Sequence, residues 1–362
     1  MKKVLFLANG GNGFFRFRYE LAERFSQEGS KMYASLPDDL YEKELREIGC
    51  ESIYTPVDRR GINPVTDFKL LLAYLKILKK VKPDIVITYT IKPNIYGGIA
   101  CRLKKIPMYA NITGLGTAFQ KDSLLSKIVT LLYKFALKKT KKVFFENIEN
   151  RDILVGKKII PAERTVCLNG AGVNLDKFVF SEYPAKTSET KFLFIGRIMQ
   201  EKGIDELFYA AERLKEEGYN ISVDILGGYE ENYKDRIEDL EKRGIIKYHG
   251  FQNDVKPFIK ETHCFVLPSY HEGMANTLLE CGAMGRPLIT SNIHGCLEAV
   301  KDGETGYLCE VKNGESLYDK MKQFVELAYE KKVEMGEKSY KYVSDKFDKR
   351  KVVDKTVKEI FV

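Results

Sequence analysis

The clearest chemical pattern in this 362-residue chain lies at Ser269-Tyr270-His271-Glu272-Gly273-Met274-Ala275-Asn276-Thr277-Leu278-Leu279-Glu280. A strand is expected to end at Ser269, and after a turn containing Gly273 a helix should begin near Ala275. Glu272 then stands in the loop above the helix N-terminus, with Glu280 about one turn inside the helix. The first N–H groups of a helix lack partners within it, so those from Ala275 to Leu278 would point at an anion between the two carboxylates. Such a site suits a nucleotide sugar: one carboxylate for sugar hydroxyls, amides for the diphosphate, the other carboxylate for the ribose. A charged loop leading into an ordinary helix with a surface glutamate would carry the same residues.

Two further turns offer cationic or amide groups. Gly196-Arg197-Ile198-Met199-Gln200-Glu201-Lys202-Gly203 sets an Arg, whose fork fits phosphate oxygens, ahead of a Lys that adds a point charge. Together they can hold a diphosphate, although Arg and Lys facing solvent would look the same. Asn9-Gly10-Gly11-Asn12-Gly13 follows an apolar run and opens a helix, and its glycines let N–H groups approach a phosphate. It does not fit G-x-G-x-x-G: counted from Gly11, the third glycine position holds Arg16. No acidic residue closes the second strand to take a dinucleotide ribose either, so a dehydrogenase is disfavoured. A simple tight turn is the alternative.

The elements that must position these residues alternate along nearly the whole chain. Strand-like runs are expected at Lys3–Ala8, Met32–Ser35, Ile53–Val57, Asp84–Thr90, Met108–Thr113, Val143–Asn147 and Val166–Asn169. A second series follows at Lys191–Arg197, Ser222–Gly227, Ile246–Gly250, Cys264–Ser269, Pro287–Asn292 and Gly306–Cys309. Several are continuous β-branched and aromatic runs, as for parallel strands buried on both faces. Amphipathic segments lie between them; in Phe68–Leu78 apolar residues recur at 68, 71, 72, 75 and 78, leaving lysines on the surface. Two βα series imply an α/β chain of two doubly wound domains. The irregular stretch Val173–Glu189 is the expected hinge, Ser339–Val362 should end the chain as helix, and no solenoid repeat or low-complexity tract is present.

Seven scattered cysteines without a CxxC pair exclude a disulfide framework or zinc site and read as reduced thiols. No run approaches the ~20 apolar residues that span a bilayer. Met1-Lys2-Lys3 followed by Val4 to Ala8 imitates a signal peptide, but that apolar run is too short, so a cytoplasmic location is expected. The net charge of +8 is uneven: from Asp58 to Lys142, 18 Lys and Arg meet four Asp and no Glu, a local +14, which leaves the rest at −6. One basic region on an otherwise acidic chain suggests an anionic partner: a phosphorylated ligand, an anionic membrane surface or nucleic acid.

Taken together the motifs resemble the retaining glycosyltransferases of family 4, whose fold is GT-B. Arg197 and Lys202 match that family's G-R-x4-K-G signature, and Glu272 and Glu280 its E-x7-E pair. Asn169-Gly170-Ala171-Gly172-Val173-Asn174-Leu175-Asp176-Lys177-Phe178 matches its interdomain segment, and Gly250-Phe251-Gln252-Asn253-Asp254-Val255 the turn beside the nucleobase. The resemblance covers essentially the whole chain. It implies two Rossmann-like, doubly wound domains facing each other across a cleft, at 1–175 and 176–344, with a final helix at 345–362 packing back on the first. Thr88–Gly98 and Asn111–Thr117 narrow it to bacterial enzymes that extend lipid-linked glycans for capsule, O-antigen or N-glycan assembly, often with galactose or N-acetylgalactosamine.

The resemblance implies catalytic roles for Arg197, Lys202 and Glu272. It places the donor on Gly11, Gly273, Met274, Ala275, Asn276, Thr277 and Glu280, and makes Asn12, Lys92, Asn94, Thr113 and Gly114 the acceptor-side candidates. Arg197 and Lys202 would stabilise charge on the leaving UDP, Glu272 would hold the sugar and Glu280 the ribose. One departure stands out: many relatives carry a first-domain histidine near the donor sugar, and here all four histidines lie between 249 and 294. The expected reaction moves GalNAc or Gal from a UDP-sugar co-substrate to an undecaprenyl diphosphate-linked glycan. No cofactor is expected, and no metal, since no aspartate pair marks a strand end. Leu124–Lys142, with apolar residues at 125, 128, 129, 132, 135 and 136 among six lysines, reads as an interfacial helix or as a helix with a solvated lysine face. A lipid-linked acceptor favours an anionic membrane, making the protein peripheral on the inner face of the cell membrane. Nucleic acid is disfavoured, because the basic region has no recognised motif and no stacking platform. The alternatives are a sugar-nucleotide 2-epimerase of the same fold and a non-catalytic sugar-nucleotide- or lipid-binding subunit.

Overall fold

The computed structural model describes residues 1–58, 61, 63–115 and 124–361. By its internal contacts the chain divides into unit 1, Met1–Ala171 with Arg350–Val362, and unit 2, Gly172–Lys349.

Unit 1 is built on a seven-stranded parallel sheet in the order β3-β2-β1-β4-β5-β6-β7. Its strands are β1 Lys3–Leu7, β2 Lys31–Leu36, β3 Cys50–Tyr54, β4 Ile85–Tyr89, β5 Met108–Ile112, β6 Lys142–Phe145 and β7 Thr165–Cys167. Its helices are α1 Gly11–Gln27, α2 Glu42–Glu47, α3 Pro64–Val81, α4 Gly98–Lys104, α5 Leu124–Leu137 and α6 Ile148–Gly156, with a π-helical turn Pro93–Gly97 leading into α4. Successive side chains on a strand point to opposite faces, so the two faces belong to different cores. Leu5 and Leu7 pack with Leu70, Tyr74, Ile77 and Leu78 of α3 and Tyr133 and Leu137 of α5. Val4 and Phe6 pack with Phe14, Leu21 and Phe25 of α1 and with Val352, Val357 and Ile360 near the C-terminus. Both faces are covered, which explains the continuous apolar runs.

Unit 2 has six parallel strands, β8 Thr190–Ile195, β9 Ile221–Leu226, β10 Ile246–Tyr248, β11 Cys264–Leu267, β12 Leu288–Ser291 and β13 Gly306–Cys309. Their order is β10-β9-β8-β11-β12-β13, the doubly wound pattern of nucleotide-binding sheets. The helices are α7 Ile204–Glu216, α8 Lys234–Lys242, α9 Lys256–Glu261, α10 Asn276–Ala283, α11 Gly314–Glu326 and α12 Tyr329–Phe347, while α13 Lys349–Phe361 belongs from Arg350 onward to unit 1. One core joins them around Phe192, Phe194, Val223, Phe265, Leu278 and Met321.

All thirteen expected strands are present, with some ends displaced. β3 ends at Tyr54 rather than running to Val57, because Pro56 has no N–H to give a ladder. The stretch expected as a hinge joins unit 2. Arg286, fully buried, donates to Ser181 O and Glu182 O and also to Ile259 O and Lys260 O, binding that stretch to α9. The final helix is broken at Asp348, where Val173 N–H donates to Phe347 O at 2.8 Å and Lys349 N–H to Val173 O at 3.0 Å. Gly172 beside this pairing has φ +71°, and a Cβ there would lie 2.7 Å from Lys349 Cα, so the position requires glycine. No helix among the described residues is long and apolar enough to cross a membrane.

Candidate active site

Strand order reverses between β1 and β4 and again between β8 and β11. Open α/β sheets bind ligands outside the carboxyl ends of strands at such a reversal. In unit 2 the Arg197 loop leaves β8 and the Glu272 loop leaves its neighbour β11, so topology alone delivers both motifs to one place. Gly203 lets them meet: its φ is +71°, and a Cβ would come 2.0 Å from Pro268 O at the end of β11. Tyr270 then stitches the loops, its N–H donating to Glu201 O at 2.9 Å and its hydroxyl to Glu206 Oε1 at 2.7 Å. Burial, then the Glu206 hydrogen bond, raise the Tyr270 pKa, so the hydroxyl stays a donor.

The result is a direct pair between Lys202 Nζ and Glu272 Oε1, with Ser269 Oγ donating to the same oxygen at 2.9 Å. Both side chains are largely buried. Arg197 is more open, at 48% exposure, and pairs with Glu230 at 3.1 Å. Glu230 belongs to a loop after β9 that is tied to the Arg197 loop by Ile198 N–H to Gly228 O and by Gln200 N–H to Glu231.

Helix α10 begins at Asn276, and no side chain caps it. The expected amide cluster is smaller than Ala275 to Leu278. Ala275 N–H donates to Gly295 O at 2.8 Å and Leu278 N–H to Ala275 O at 3.0 Å, which narrows the offer to Asn276 and Thr277. Asn276 Oδ1 is buried without a partner, an acceptor in need of a donor. Met274 is buried, Gly273 and Thr277 are half-buried, and Glu280 lies half-buried on the first turns of α10.

Three candidates in unit 1 already have partners within the protein. Gly11 N–H donates to Asp38 Oδ2 at 2.9 Å, so the protein's own carboxylate takes the amide expected to meet a phosphate. Asn94 is fully buried, its Oδ1 accepting from Thr88 Oγ1 at 2.6 Å and its Nδ2 donating to Asn111 O at 2.9 Å. That amide ties the π-helical turn to β4 and β5. Lys92 is paired with Asp67 at 2.7 Å, and Tyr96 donates to the other Asp67 oxygen at 2.8 Å. Asp67 lines a cleft of about 480 Å³ together with Tyr54, Pro56, Thr66 and Lys69. Asn12 Oδ1 accepts from Tyr41 at 3.2 Å, and Thr113 and Gly114 are half-buried after β5. Gly116 and Thr117 of that glycine-rich loop lie outside the described residues.

Sequence reasoning missed Glu230, Tyr270, Asp67 and a buried pair in unit 1. In that pair Arg18 bonds Glu146 at 2.7 Å while its guanidinium lies 4.6 Å from the centre of the Tyr89 ring. Glu146 directly follows β6, and a carboxylate at the carboxyl end of a parallel strand was the available signal. Among the described residues no three His, Cys, Asp or Glu side chains gather as a metal site would require.

Solved structures share this architecture. Anabaena HepE in complex with UDP and glucose superposes with a TM-score of 0.81 over 99% of each chain at 14% identity. Sucrose-phosphate synthase from Thermosynechococcus elongatus gives 0.80 over 99% of this chain and 98% of its own at 17% identity. The fold is GT-B. The family model for glycosyl transferases group 1 matches residues 176–342, and that for glycosyl transferase 4-like proteins residues 3–147. The Escherichia coli UDP-Gal:alpha-D-GlcNAc-diphosphoundecaprenol alpha-1,3-galactosyltransferase is 31% identical over 73% of this chain and 72% of its own. The Campylobacter jejuni N,N'-diacetylbacillosaminyl-diphospho-undecaprenol alpha-1,3-N-acetylgalactosaminyltransferase is 26% identical over 90% of this chain and 89% of its own. The chain belongs to the glycosyl transferases group 1 family, family 4 of the glycosyltransferases, and is a retaining hexosyltransferase.

Proposed function

We propose that the protein transfers GalNAc or Gal from a UDP-sugar to an undecaprenyl diphosphate-linked glycan on the inner face of the cell membrane. The observation that carries this reading is the Lys202–Glu272 pair at the carboxyl ends of β8 and β11, beside the uncapped start of α10. Arg197, Lys202 and the Asn276 and Thr277 amides would take the diphosphate, Glu272 the donor sugar and Glu280 the ribose. The two galactose-type relatives, both acting on diphosphoundecaprenol glycans by their names, support the donor and acceptor.

As the glycosidic bond breaks, negative charge grows on the leaving diphosphate, and fixed cations lower the barrier more than they stabilise the ground state. Lys202 is pre-placed by Glu272, so it turns from carboxylate to phosphate oxygen without travelling far. In this reading the two side chains supply the charge that a divalent ion would otherwise supply. The test is transfer from UDP-GalNAc, UDP-Gal, UDP-GlcNAc and UDP-Glc to an undecaprenyl diphosphate-linked saccharide, with and without EDTA. Transfer should persist in EDTA, and Arg197→Ala or Lys202→Ala should lower kcat by about 10²-fold or more. Loss of transfer in EDTA with recovery on Mg²⁺, or near-normal turnover in both variants, would reject the assignment.

A further inference from the structure

Helices α3, α4 and α5 lie side by side over one face of the first sheet, α3 against α4 and α4 against α5. Each turns an apolar stripe inward, as a helix on a sheet must. Their outer faces are unusual. α3 exposes Val65, Phe68 and Leu72, with Val65 and Phe68 at 61% and 59%. α5 exposes Ile128, Leu131 and Phe135, Leu131 at 65%, and Leu103 stands out from α4 between them. On both long helices the exposed apolar residues fall at i, i+3 and i+7, which is a second stripe on the side away from the core. Single exposed apolar residues need no explanation, but seven on three neighbouring helices do.

The charged residues on these helices are, Asp67 apart, all basic. Lys69 and Lys76 on α3, Lys104 on α4, and Lys127, Lys134 and Lys138 at α5 are all exposed. α4 and α5 contain no acidic residue, and the single one on α3, Asp67, is already neutralised by Lys92. Arg102 joins α4 to α5, its guanidinium 4.0 Å from the centre of the Phe135 ring and its Nη1–H bonded to Phe135 O.

We infer that this α3–α4–α5 face is the surface by which the protein seats on an anionic bilayer, with Phe68, Leu131 and Phe135 entering the headgroup region and the lysines meeting lipid phosphates. It rests on the proposed function only in that a lipid-linked acceptor must be met at a membrane. Charge complementarity selects the occupant: in a symmetric contact between two copies, two cationic faces would repel, whereas an anionic leaflet attracts each of them. The apolar stripes select the mode, because lysines alone would give a contact that salt abolishes, while buried apolar side chains persist.

The chain contains no tryptophan, so Leu131→Trp places a single reporter on the face. The full-length protein is mixed with phosphatidylcholine vesicles and with mixed phosphatidylcholine and phosphatidylglycerol vesicles, and sedimentation and emission are read together. Sedimentation with the anionic vesicles and a blue shift are expected, both weaker at 1 M salt, where the Debye length falls from about 10 Å to about 3 Å. Each surface lysine contributes roughly a fivefold gain in partition, so Lys69, Lys76, Lys127 and Lys134 changed together to Gln should cost about 10²-fold or more. Phe68→Ser with Leu131→Ser should remove the part of binding that survives salt. Sedimentation without a blue shift would place the membrane contact elsewhere and overturn the inference. So would a blue shift that grows with protein concentration in the absence of vesicles, since a second copy would then cover the face. UDP affinity, measured on the same variants, should not change; failure of UDP to bind the wild type would count against the donor reading and leave this face untouched.

Discussion

Arg197 holds Glu230 across 3.1 Å while nearly half exposed, and at such exposure an ion pair contributes only about 0–1 kcal/mol. A diphosphate offers the same guanidinium more charge and a two-pronged contact, so it should displace the glutamate. On the proposed reading Glu230 would act as a stand-in anion that holds Arg197 before a nucleotide arrives, and UDP would have to compete with it. Replacing it by Gln removes the competitor and keeps the shape of the side chain. Glu230→Gln should tighten UDP binding by about two- to fivefold, the equivalent of the pair it removes, and the gain should vanish in Arg197→Ala with Glu230→Gln. Isothermal titration with UDP reads both. Weaker binding in the single variant would mean that Glu230 itself helps to hold the nucleotide. The Lys202–Glu272 pair is different, since both members are largely buried and removing either leaves a charge with little water to solvate it.

At the level of elements, Tyr270 ties together the two loops of the candidate site. Its hydroxyl serves Glu206 Oε1, and Glu206 Oε2 is already buried without a partner. Tyr270→Phe leaves that carboxylate short of donors and removes the side-chain tie to α7, while the backbone bond to Glu201 O beside Lys202 remains. The expected outcome is a drop in kcat of about tenfold with UDP affinity nearly unchanged, since about 1–2 kcal/mol of positioning is lost from the transition state alone. A fall in thermal stability with kcat intact would reduce Tyr270 to a structural residue.

The same element shows how far the sequence could be read. Ser269–Glu280 is local, and strand end, turn and helix start follow from residue types over a dozen positions. So do the thirteen strands, because two-sided burial writes a continuous apolar run. What could not be read depends on contacts distant in sequence. Glu230 reaches Arg197 across 33 positions, and the amide of Ala275 is taken by Gly295. Asn94, an acceptor-side candidate within Thr88–Gly98, is buried in the π-helical turn, a register that no periodicity announces.

Over the whole molecule, titratable chemistry is divided as sharply as charge. Unit 1 is basic and contains no histidine, while all four histidines fall in unit 2. His263 is buried there beside β8; its Nδ1 accepts from Lys191 N–H at 3.0 Å, and its backbone carbonyl accepts from Tyr183. Burial foremost, and then the nearby Lys332 charge, hold its pKa down at about 4, below the ordinary value of 6.5. The folded state thus takes up the proton less readily than the unfolded chain. This contribution to stability is complete above pH ~6.5, shrinks as pH falls below that value and is gone below pH ~4. At about 1.4 kcal/mol per unit, the full loss is roughly 3 kcal/mol. Unit 2 should therefore lose stability on mild acidification before unit 1 does, and hydrogen exchange resolved by segment between pH 7 and pH 5 should show faster opening in Gly172–Lys349 than in Met1–Ala171. His263→Asn keeps an acceptor for Lys191 N–H but cannot take up a proton, so it should flatten that pH dependence without matching the wild-type stability at pH 7. An unchanged slope in His263→Asn would assign the acid sensitivity to carboxylates instead, and an earlier opening of unit 1 would remove His263 as its cause.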